Sequence, residues 1–123
     1  MKKVILITGA SSGMGKVTAE ELIKEGYIVY GAARNADKMK DLEKLGGKVL
    51  TMDVSDRNSI EAGVKRIIEE QGKIDVLWNN AGFGLYGPVE EISIEKARYQ
   101  FDVNIFGLAE LTQLVLPHMR HQK

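Results

Sequence analysis

Cysteine is absent from this chain of 123 residues. Disulfide bonds and thiolate metal sites are therefore excluded. The sequence also lacks an excess of either charge, because 17 Lys and Arg residues balance 17 Asp and Glu residues. Proteins that bind nucleic acid or anionic membranes electrostatically are expected to carry a basic surplus. The balance therefore argues against both kinds of partner.

Long apolar runs are missing as well. No stretch is long enough to span a bilayer, and the N-terminus lacks the pattern of a signal peptide. We therefore expect a cytoplasmic protein. The length predicts a single domain, residues 1–123, which is large enough for a core but small for an enzyme built on a wide parallel sheet.

Short apolar runs alternate with amphipathic segments along the whole chain. Strands that are apolar on both faces and separated by helices indicate a parallel sheet covered on both sides. The expected fold is a doubly wound α/β sheet of the Rossmann type, with four strands in the order 3-2-1-4. We predict strands over 3–8, 27–33, 48–52 and 74–78, and helices over 16–25, 37–45, 58–71, from 93 and from about 102 to 119.

Local signals add detail to two of these helices. In the first helix, Val17, Leu22 and Ile23 are expected to face the core. In the third helix, Asn58 is expected to be the N-cap, with Glu61 completing a capping box.

Three glycines follow the first predicted strand in the segment LITGASSGMGK (6–16), namely Gly9, Gly13 and Gly15. Glycine lets the backbone approach another group closely, so the cluster can serve a phosphate, a tight packing contact or a turn. In a doubly wound sheet this loop lies at the carboxyl end of the first strand, where ligands bind. The next helix offers N–H groups and the positive end of its dipole. A pyrophosphate suits that position, while a turn with close helix–strand packing stays open.

Two other kinds of phosphate site are excluded by the residues of this loop. A Walker A loop would require glycine where Ala10 stands and Ser or Thr where Val17 stands. A phospho-acceptor receiver domain could use Asp53, which ends the third strand. That fold requires acidic residues directly after the first strand, where the sequence reads TGA (8–10).

Four segments occur in a characteristic order and spacing: TGASSGMG (8–15), MDVS (52–55), NNAG (79–82) and FDVNIFG (101–107). Together they resemble the short-chain dehydrogenase/reductase family. The resemblance covers essentially the whole chain, but only the N-terminal, cofactor-binding half of a typical member. It implies an oxidoreductase that transfers hydride between a nicotinamide dinucleotide and a carbonyl or alcohol.

The resemblance implies a role for each matching residue. Asp53 would hydrogen-bond the adenine amino group, Val54 would lie beside the ring, and 80–82 would line the adenosine ribose, while Asn79 helps to order the sheet. Asn104 matches the asparagine that kinks the long helix and holds a water in the family's proton relay; a capping or surface asparagine is the alternative. The residues assigned to the cofactor are Gly9, Ser11, Ser12, Gly13, Met14, Gly15, Arg34, Asp53, Val54, Asn80, Ala81 and Gly82.

The end of the second strand bears on which dinucleotide is bound. An acidic residue there pairs with the ribose hydroxyls of NAD, whereas this strand ends in Arg34. A guanidinium can grip a 2′-phosphate with two N–H groups. We therefore predict NADP(H) over NAD(H), with a solvated loop charge as the alternative. Asp37 is expected to cap the next helix, and it could weaken the preference.

The family's catalytic Tyr-x-x-x-Lys pair and serine are missing from this chain. No tyrosine is followed by lysine at the fourth position, so Asn104 is the one matching member of the catalytic set. The tyrosine of that pair acts as the general acid and base, so we expect the chain to be inactive alone. Tyr86 is expected at the surface or on a pocket wall. His118 and His121 lie at a helix end, where the helix dipole favours a charged histidine.

Several explanations for a cofactor-binding half remain open at this point. The chain can be a shortened piece, a naturally truncated relative or one part of an enzyme completed by a second chain. A non-catalytic nucleotide-binding or interaction module is the other class of function. The apolar fourth strand would form a sheet edge, and the 102–119 helix is apolar around more than one stripe. We therefore predict a homo-oligomer through that helix or that edge, with a monomer as the alternative.

Overall fold

The computed structural model describes residues 2–123, and four strands form its sheet. The strands are β1 (Val4–Thr8), β2 (Ile28–Ala33), β3 (Lys48–Thr51) and β4 (Val76–Trp78). All three pairings are parallel, and the order is β3-β2-β1-β4. The predicted strand order is therefore confirmed.

Helices make every connection between consecutive strands and follow the last one. They are α1 (Gly13–Lys24), a 3-10 turn (Ala36–Met39) running into α2 (Lys40–Lys44), α3 (Arg57–Gln71), a 3-10 turn (Val89–Glu91), α4 (Ile94–Phe101), a π-helix (Asp102–Gly107) and α5 (Leu108–Gln122). The last three follow one another without a break, so the predicted boundary near Asp102 is a change of helix type. The expected doubly wound α/β fold of the Rossmann type is confirmed.

Two hydrophobic cores lie on opposite faces of the sheet. All five residues of β1 are buried, and their side chains alternate between the faces. Leu6 packs in the core beneath α3 and α5, with Ile67 and Leu111. Ile7 packs in the core beneath α1 and α2, with Leu42. Burying an aliphatic side chain of this size contributes about 2 kcal/mol, so both layers of helices stabilise the sheet.

Two helix starts differ from the prediction. Asp56 caps α3 instead of Asn58, and its side chain accepts the backbone N–H of Asn58 at 3.0 Å. Glu61 completes no capping box, because it lies beyond the N3 position when Asp56 is the N-cap, and it forms an ion pair with Arg57 one turn back along α3. Asn35 likewise caps the turn at 36–39 instead of Asp37, accepting the N–H of Asp37 at 3.0 Å. In both places the residue with extended backbone is the cap, as the N-cap position requires.

The buried face of α1 is also displaced from the predicted one. Val17 is 61 % exposed, whereas Gly15 and Ala19 are the buried residues of this helix. Leu22 and Ile23 are half-buried and pack against the core as predicted. The small buried residues let α1 lie close to the end of β1, and a larger side chain does not fit there.

The fourth strand is shorter than predicted and the last helix is longer. Ile74 belongs to no strand, and the side chain of Gln122 hydrogen-bonds both its N–H and its C=O, at 3.1 and 3.2 Å. This contact fixes the last turn of α5. The helix as a whole contains Pro117 and extends past its predicted end at Met119. The N-terminal edge of β4 and the C-terminal end of α5 therefore lie together.

Apolar side chains remain exposed on the C-terminal helices. Phe101, Ile105 and Phe106 are 54 %, 51 % and 58 % exposed, and Leu116 is 41 % exposed. Val76 on the edge strand β4 is 39 % exposed. Exposed apolar surface of this kind is available for contact with another surface. Within residues 2–123, no helix combines the length and the apolar composition needed to cross a lipid bilayer.

Candidate functional site

A cleft of about 470 Å³ opens at the carboxyl edge of the sheet, where all four strands end. The loops that follow β1, β2, β3 and β4 each contribute to its walls. Eleven of the predicted site residues line it: Gly9, Ser11, Ser12, Gly13, Met14, Arg34, Asp53, Val54, Asn80, Ala81 and Gly82. Gly15 and Asn104 do not line the cleft themselves. Gly15 lies against Gly9, and Asn104 lies against Gly82. The predicted residues are thus brought together, although their roles stay predictions.

The glycines of the first loop serve different local needs. Gly9 has φ +65° and its Cα faces the backbone of Ala81, so an added Cβ would lie 2.9 Å from the Ala81 Cα. Gly15 faces the carbonyl of Gly9, and an added Cβ would lie 2.5 Å from that oxygen. Gly13 has φ +59° and no atom within 4 Å of the position of a Cβ. Two glycines therefore permit close packing, and Gly13 opens the loop toward the cleft.

The N-terminus of α1 faces this cleft with uncompensated backbone donors. Ser12 is the N-cap, with extended backbone at φ −160°, and its side chain forms no capping hydrogen bond within the described chain. The first turn contains no acidic residue. The leading N–H groups and the positive end of the helix dipole are therefore available to an anion, and the hydroxyls of Ser11 and Ser12 lie beside them.

Thr8 connects the loop after β1 to the loop after β4. Its side chain is 2 % exposed, and its Oγ1 accepts the N–H groups of Asn80 and Ala81 at 3.0 and 2.9 Å. The Asn80 side chain adds a second link between the two loops by donating to the Gly9 carbonyl at 3.2 Å. The floor of the cleft is therefore fixed by hydrogen bonds before any ligand binds.

Asp53 is positioned by the segment that follows β3. Its carboxylate accepts hydrogen bonds from the N–H and the hydroxyl of Ser55, at 2.9 and 2.7 Å. Its own N–H donates to the Ser59 hydroxyl at 2.9 Å. Val54 next to it is buried, and its carbonyl contacts the position where a Cβ of Gly107 would stand. The π-helix can therefore pack directly on this segment.

Arg34 lies at the rim of the cleft and contacts the opposite wall. Its Nη1 donates to the hydroxyl of Tyr99 at 2.8 Å, and its Cζ lies 5.9 Å from the centre of the Tyr99 ring. The Phe83 ring packs against Tyr99 with 5.6 Å between ring centres. The arginine is therefore held at the cleft by Tyr99, which itself packs against Phe83.

Asn104 lies in the π-helix and holds the loop after β4. Its Oδ1 accepts the N–H of Phe83 at 3.1 Å, and its Nδ2 donates to the carbonyl of the same residue at 2.7 Å. Asn79 donates to Thr112 at 3.0 Å and so links the end of β4 to α5. π-Helical turns occur often at functional sites, because the wider turn redirects side chains.

The remaining candidates lie away from the cleft. Tyr86 is 93 % exposed and is not among the residues that line it. His118 borders a separate shallow groove between α3 and α5, and His121 lies in the last turn of α5, by the opposite edge of the sheet.

Seven further residues line the cleft without having been predicted: Thr8, Ala32, Ala33, Met52, Phe83, Tyr99 and Val103. Most of them adjoin predicted segments, so the ends of the strands could have indicated them. Tyr99 has no such signal, because it reaches the cleft from α4, 65 residues after Arg34.

Comparison with known proteins agrees with this geometry. The sequence model described as short chain dehydrogenase matches residues 3–123. The chain belongs to the short-chain dehydrogenase family. The resemblance of the four motifs is thereby confirmed.

Individual members of the short-chain dehydrogenase family are similar along almost the whole chain. A 3-ketodihydrosphingosine reductase from Bacteroides thetaiotaomicron is 44 % identical over 119 residues, 96 % of this chain and 42 % of the reductase. The structure of an alcohol dehydrogenase from Thermococcus sibiricus, complexed with 5-hydroxy-NADP, has a TM-score of 0.91 and 30 % identity, covering 98 % of this chain and 55 % of that one.

The structure of a third relative contains NADH. The structure of 3-ketoacyl-(acyl-carrier-protein) reductase from Brucella melitensis, complexed with NADH, has a TM-score of 0.92 and 30 % identity, covering 98 % of this chain and 51 % of that one. The chain spans about half the length of the family members that it matches.

Proposed function

We propose that this chain is the NADP(H)-binding half of a short-chain dehydrogenase that transfers hydride to or from a carbonyl or alcohol. The observation that carries the proposal is the glycine loop at the N-terminus of α1, which opens into a cleft walled by the ends of all four strands. That arrangement suits a dinucleotide, because the pyrophosphate meets backbone N–H groups and the adenosine meets the loops after β2 and β3.

Each group of cleft residues has a proposed part in binding. The segment 9–15 would hold the pyrophosphate, and 80–82 would line the adenosine ribose. Asp53 already accepts two hydrogen bonds, and its remaining carboxylate oxygen would accept the adenine amino group. Val54 would pack beside the ring. Asn104 would act through Phe83, whose backbone it holds at the cleft wall.

The proposed preference for NADP(H) rests on Arg34. The guanidinium lies at the rim of the cleft, and within residues 2–123 no carboxylate forms an ion pair with it. It therefore carries an uncompensated positive charge where the adenosine ribose would lie. One related structure contains 5-hydroxy-NADP and another contains NADH, so the family alone favours neither cofactor. The arginine supports the phosphorylated one.

We further propose that the chain alone binds the cofactor without transferring hydride. No tyrosine in it is followed by lysine at the fourth position, so the general acid of the family is lacking in this sequence. Two relatives are named as reductases of keto compounds, which supports a carbonyl compound as the hydride acceptor. A second chain that supplies the missing pair would restore NADPH oxidation, whereas a non-catalytic binding module would stay inactive.

Assembly through the C-terminal helices is part of the proposal. Exposed apolar side chains on 101–116 and on the edge strand β4 support a homo-oligomer of the chain. Light scattering at micromolar concentration tests this point. A dimeric or larger mass is expected, and a monomeric mass would reject the oligomer.

Titration of the purified chain with NADPH and with NADH tests the cofactor assignment. Nucleotide fluorescence reports the bound fraction for both cofactors, because the two share the reduced nicotinamide. We expect saturable binding that is tighter for NADPH. Equal affinity would reject the proposed preference, and no binding of either would reject the cofactor-binding function itself.

A further inference from the structure

Tyr99 occupies a position in the cleft that none of the four motifs includes. It lies on α4 and lines the same cleft as Arg34, although 65 residues separate the two in the sequence. The 2.8 Å hydrogen bond from Arg34 Nη1 to the Tyr99 hydroxyl bridges the loop after β2 and the C-terminal helices. A contact between such distant elements positions both partners relative to the sheet.

The tyrosine ring is packed on two sides. It is half-buried, packs against the core beneath α3 and α5, and lies 5.6 Å from the ring of Phe83. Phe83 in turn is held through its backbone by Asn104. A ring fixed on two sides can present its hydroxyl at a constant place, which an exposed side chain could not do.

The bond to Tyr99 restricts Arg34 without consuming its binding capacity. Arginine is long and flexible, and a free guanidinium at a loop end loses conformational freedom when it binds a phosphate. A guanidinium carries five N–H donors, and the hydrogen bond to Tyr99 uses one of them. The other donors, and the whole positive charge, remain available to an anion at the adenosine end of the cleft.

We propose that Tyr99 is a positioning residue that determines cofactor specificity, because it holds the Arg34 guanidinium ready for the 2′-phosphate of NADP(H). The proposal rests on the proposed function. It separates two parts of one interaction: Arg34 supplies the charge, and the Tyr99 hydroxyl supplies the orientation. NADH lacks the 2′-phosphate, so its binding should not depend on either side chain to the same degree.

The test compares dissociation constants for NADPH and NADH in the wild-type chain, Tyr99→Phe, Arg34→Gln and the double variant. Phenylalanine keeps the ring and its packing and removes only the hydroxyl. Tyr27→Phe is the matched control, since Tyr27 precedes β2 at the opposite edge of the sheet and is 37 % exposed. Thermal melting of each variant verifies that it is folded before binding is measured.

Tyr99→Phe is expected to weaken NADPH binding by about 5- to 10-fold, because the freed guanidinium then loses conformational freedom when it binds, and to leave NADH within about twofold. In the Arg34→Gln background the same substitution should have no further effect. Adenosine 2′-monophosphate, used as a competitor, should lose affinity in parallel with NADPH.

Three results would overturn the assignment of Tyr99. The first is that Tyr99→Phe weakens NADPH and NADH binding equally. The second is an unchanged NADPH affinity in Tyr99→Phe. The third is that Tyr99→Phe weakens NADPH binding just as much when Arg34 is already replaced. These outcomes leave the proposed function standing, because the wild-type chain still binds. A wild-type chain that binds neither nucleotide overturns the proposed function, and the role of Tyr99 falls with it.

Discussion

The side-chain amide of Asn104 makes two hydrogen bonds with the backbone of Phe83, accepting its N–H at 3.1 Å and donating to its carbonyl at 2.7 Å. The π-helix is thereby joined to the loop after β4, and that loop forms one wall of the cleft. The pair stabilises the wall independently of any ligand.

Replacing Asn104 therefore tests how firmly the wall is held. Asn104→Ala removes both hydrogen bonds and should lower the free energy of unfolding by about 1–2 kcal/mol, measured by urea denaturation. Asn104→Asp should not rescue it, because a carboxylate oxygen would then face the Phe83 carbonyl. Asn58→Ala, at an exposed helical position, is the control and should be neutral or slightly stabilising. Wild-type stability in Asn104→Ala would contradict this account.

Two helical glycines provide a matched test of close packing. Alanine normally stabilises a helix by about 1 kcal/mol relative to glycine. At Gly15 a Cβ would lie 2.5 Å from the Gly9 carbonyl oxygen, which is backbone and cannot move freely. At Gly63 a Cβ would meet the methyl end of the flexible Met52 side chain.

We expect Gly15→Ala to lower the free energy of unfolding by about 1–3 kcal/mol, and Gly63→Ala to cost clearly less or to stabilise. Urea denaturation of the two variants side by side measures the difference. Equal stability of both variants would mean that the loop after β1 can shift away from α1, against the packing described above.

Much of the fold is encoded in patterns that act locally. Apolar runs on both faces predict buried parallel strands, and the alternation with helices predicts a doubly wound sheet. The position of the cleft follows, because loops after parallel strands meet at one edge. This is why Gly9, Asp53 and Asn80, which are far apart in the chain, could be assigned to one site from the sequence.

Other features depend on tertiary contacts that no local pattern contains. Asp56 and Asn58 are both good N-cap residues, and the choice between them depends on which one keeps extended backbone at the end of the loop. Ile74 was expected in β4, but it precedes the strand, and the distant side chain of Gln122 hydrogen-bonds both of its backbone groups. The approach of Tyr99 to Arg34 depends on how α4 packs, so the sequence offers no signal for it.

Because Tyr30 is buried, we expect the free energy of unfolding to fall at alkaline pH. Burial, followed by the hydrogen bond to the Glu70 carboxylate, raises the pKa of Tyr30 from 10.0 to about 12. Below pH 10 the phenol is neutral in both the folded and unfolded states. Between pH 10 and about pH 12 it ionises only in the unfolded chain, so stability falls as the pH rises through this window.

The expected loss from Tyr30 is about 2–3 kcal/mol once the pH exceeds its folded-state pKa. Urea midpoints of the wild-type chain and Tyr30→Phe, followed across that window, isolate the contribution of Tyr30 to the change. The difference in stability between the two proteins should change with pH. A pH-independent difference for Tyr30→Phe would show that its hydroxyl ionises equally in both states.

Reversing the charge at Arg34 should reverse the cofactor preference. In Arg34→Asp a carboxylate would repel the 2′-phosphate and could accept hydrogen bonds from the ribose hydroxyls. We expect NADPH to bind about 100-fold more weakly and NADH to bind as well or better. Fluorescence titration measures both.

Arg120→Asp changes the charge equally and lies in the last turn of α5, by the opposite edge of the sheet. It should leave both affinities unchanged. Unaltered selectivity in Arg34→Asp would mean that Arg34 is a solvated loop charge.

Amide chemical shifts of the isotope-labelled chain, recorded with and without NADPH, test the central claim most directly. The account predicts shifts for the amides of Gly9, Gly13 and Gly15, at the cleft. Gly26 and Gly72, which end helices at the opposite edge of the sheet, should not move. Shifts confined to the opposite edge, or none at saturating NADPH, would contradict the account, because the glycines would then serve the packing of α1 alone.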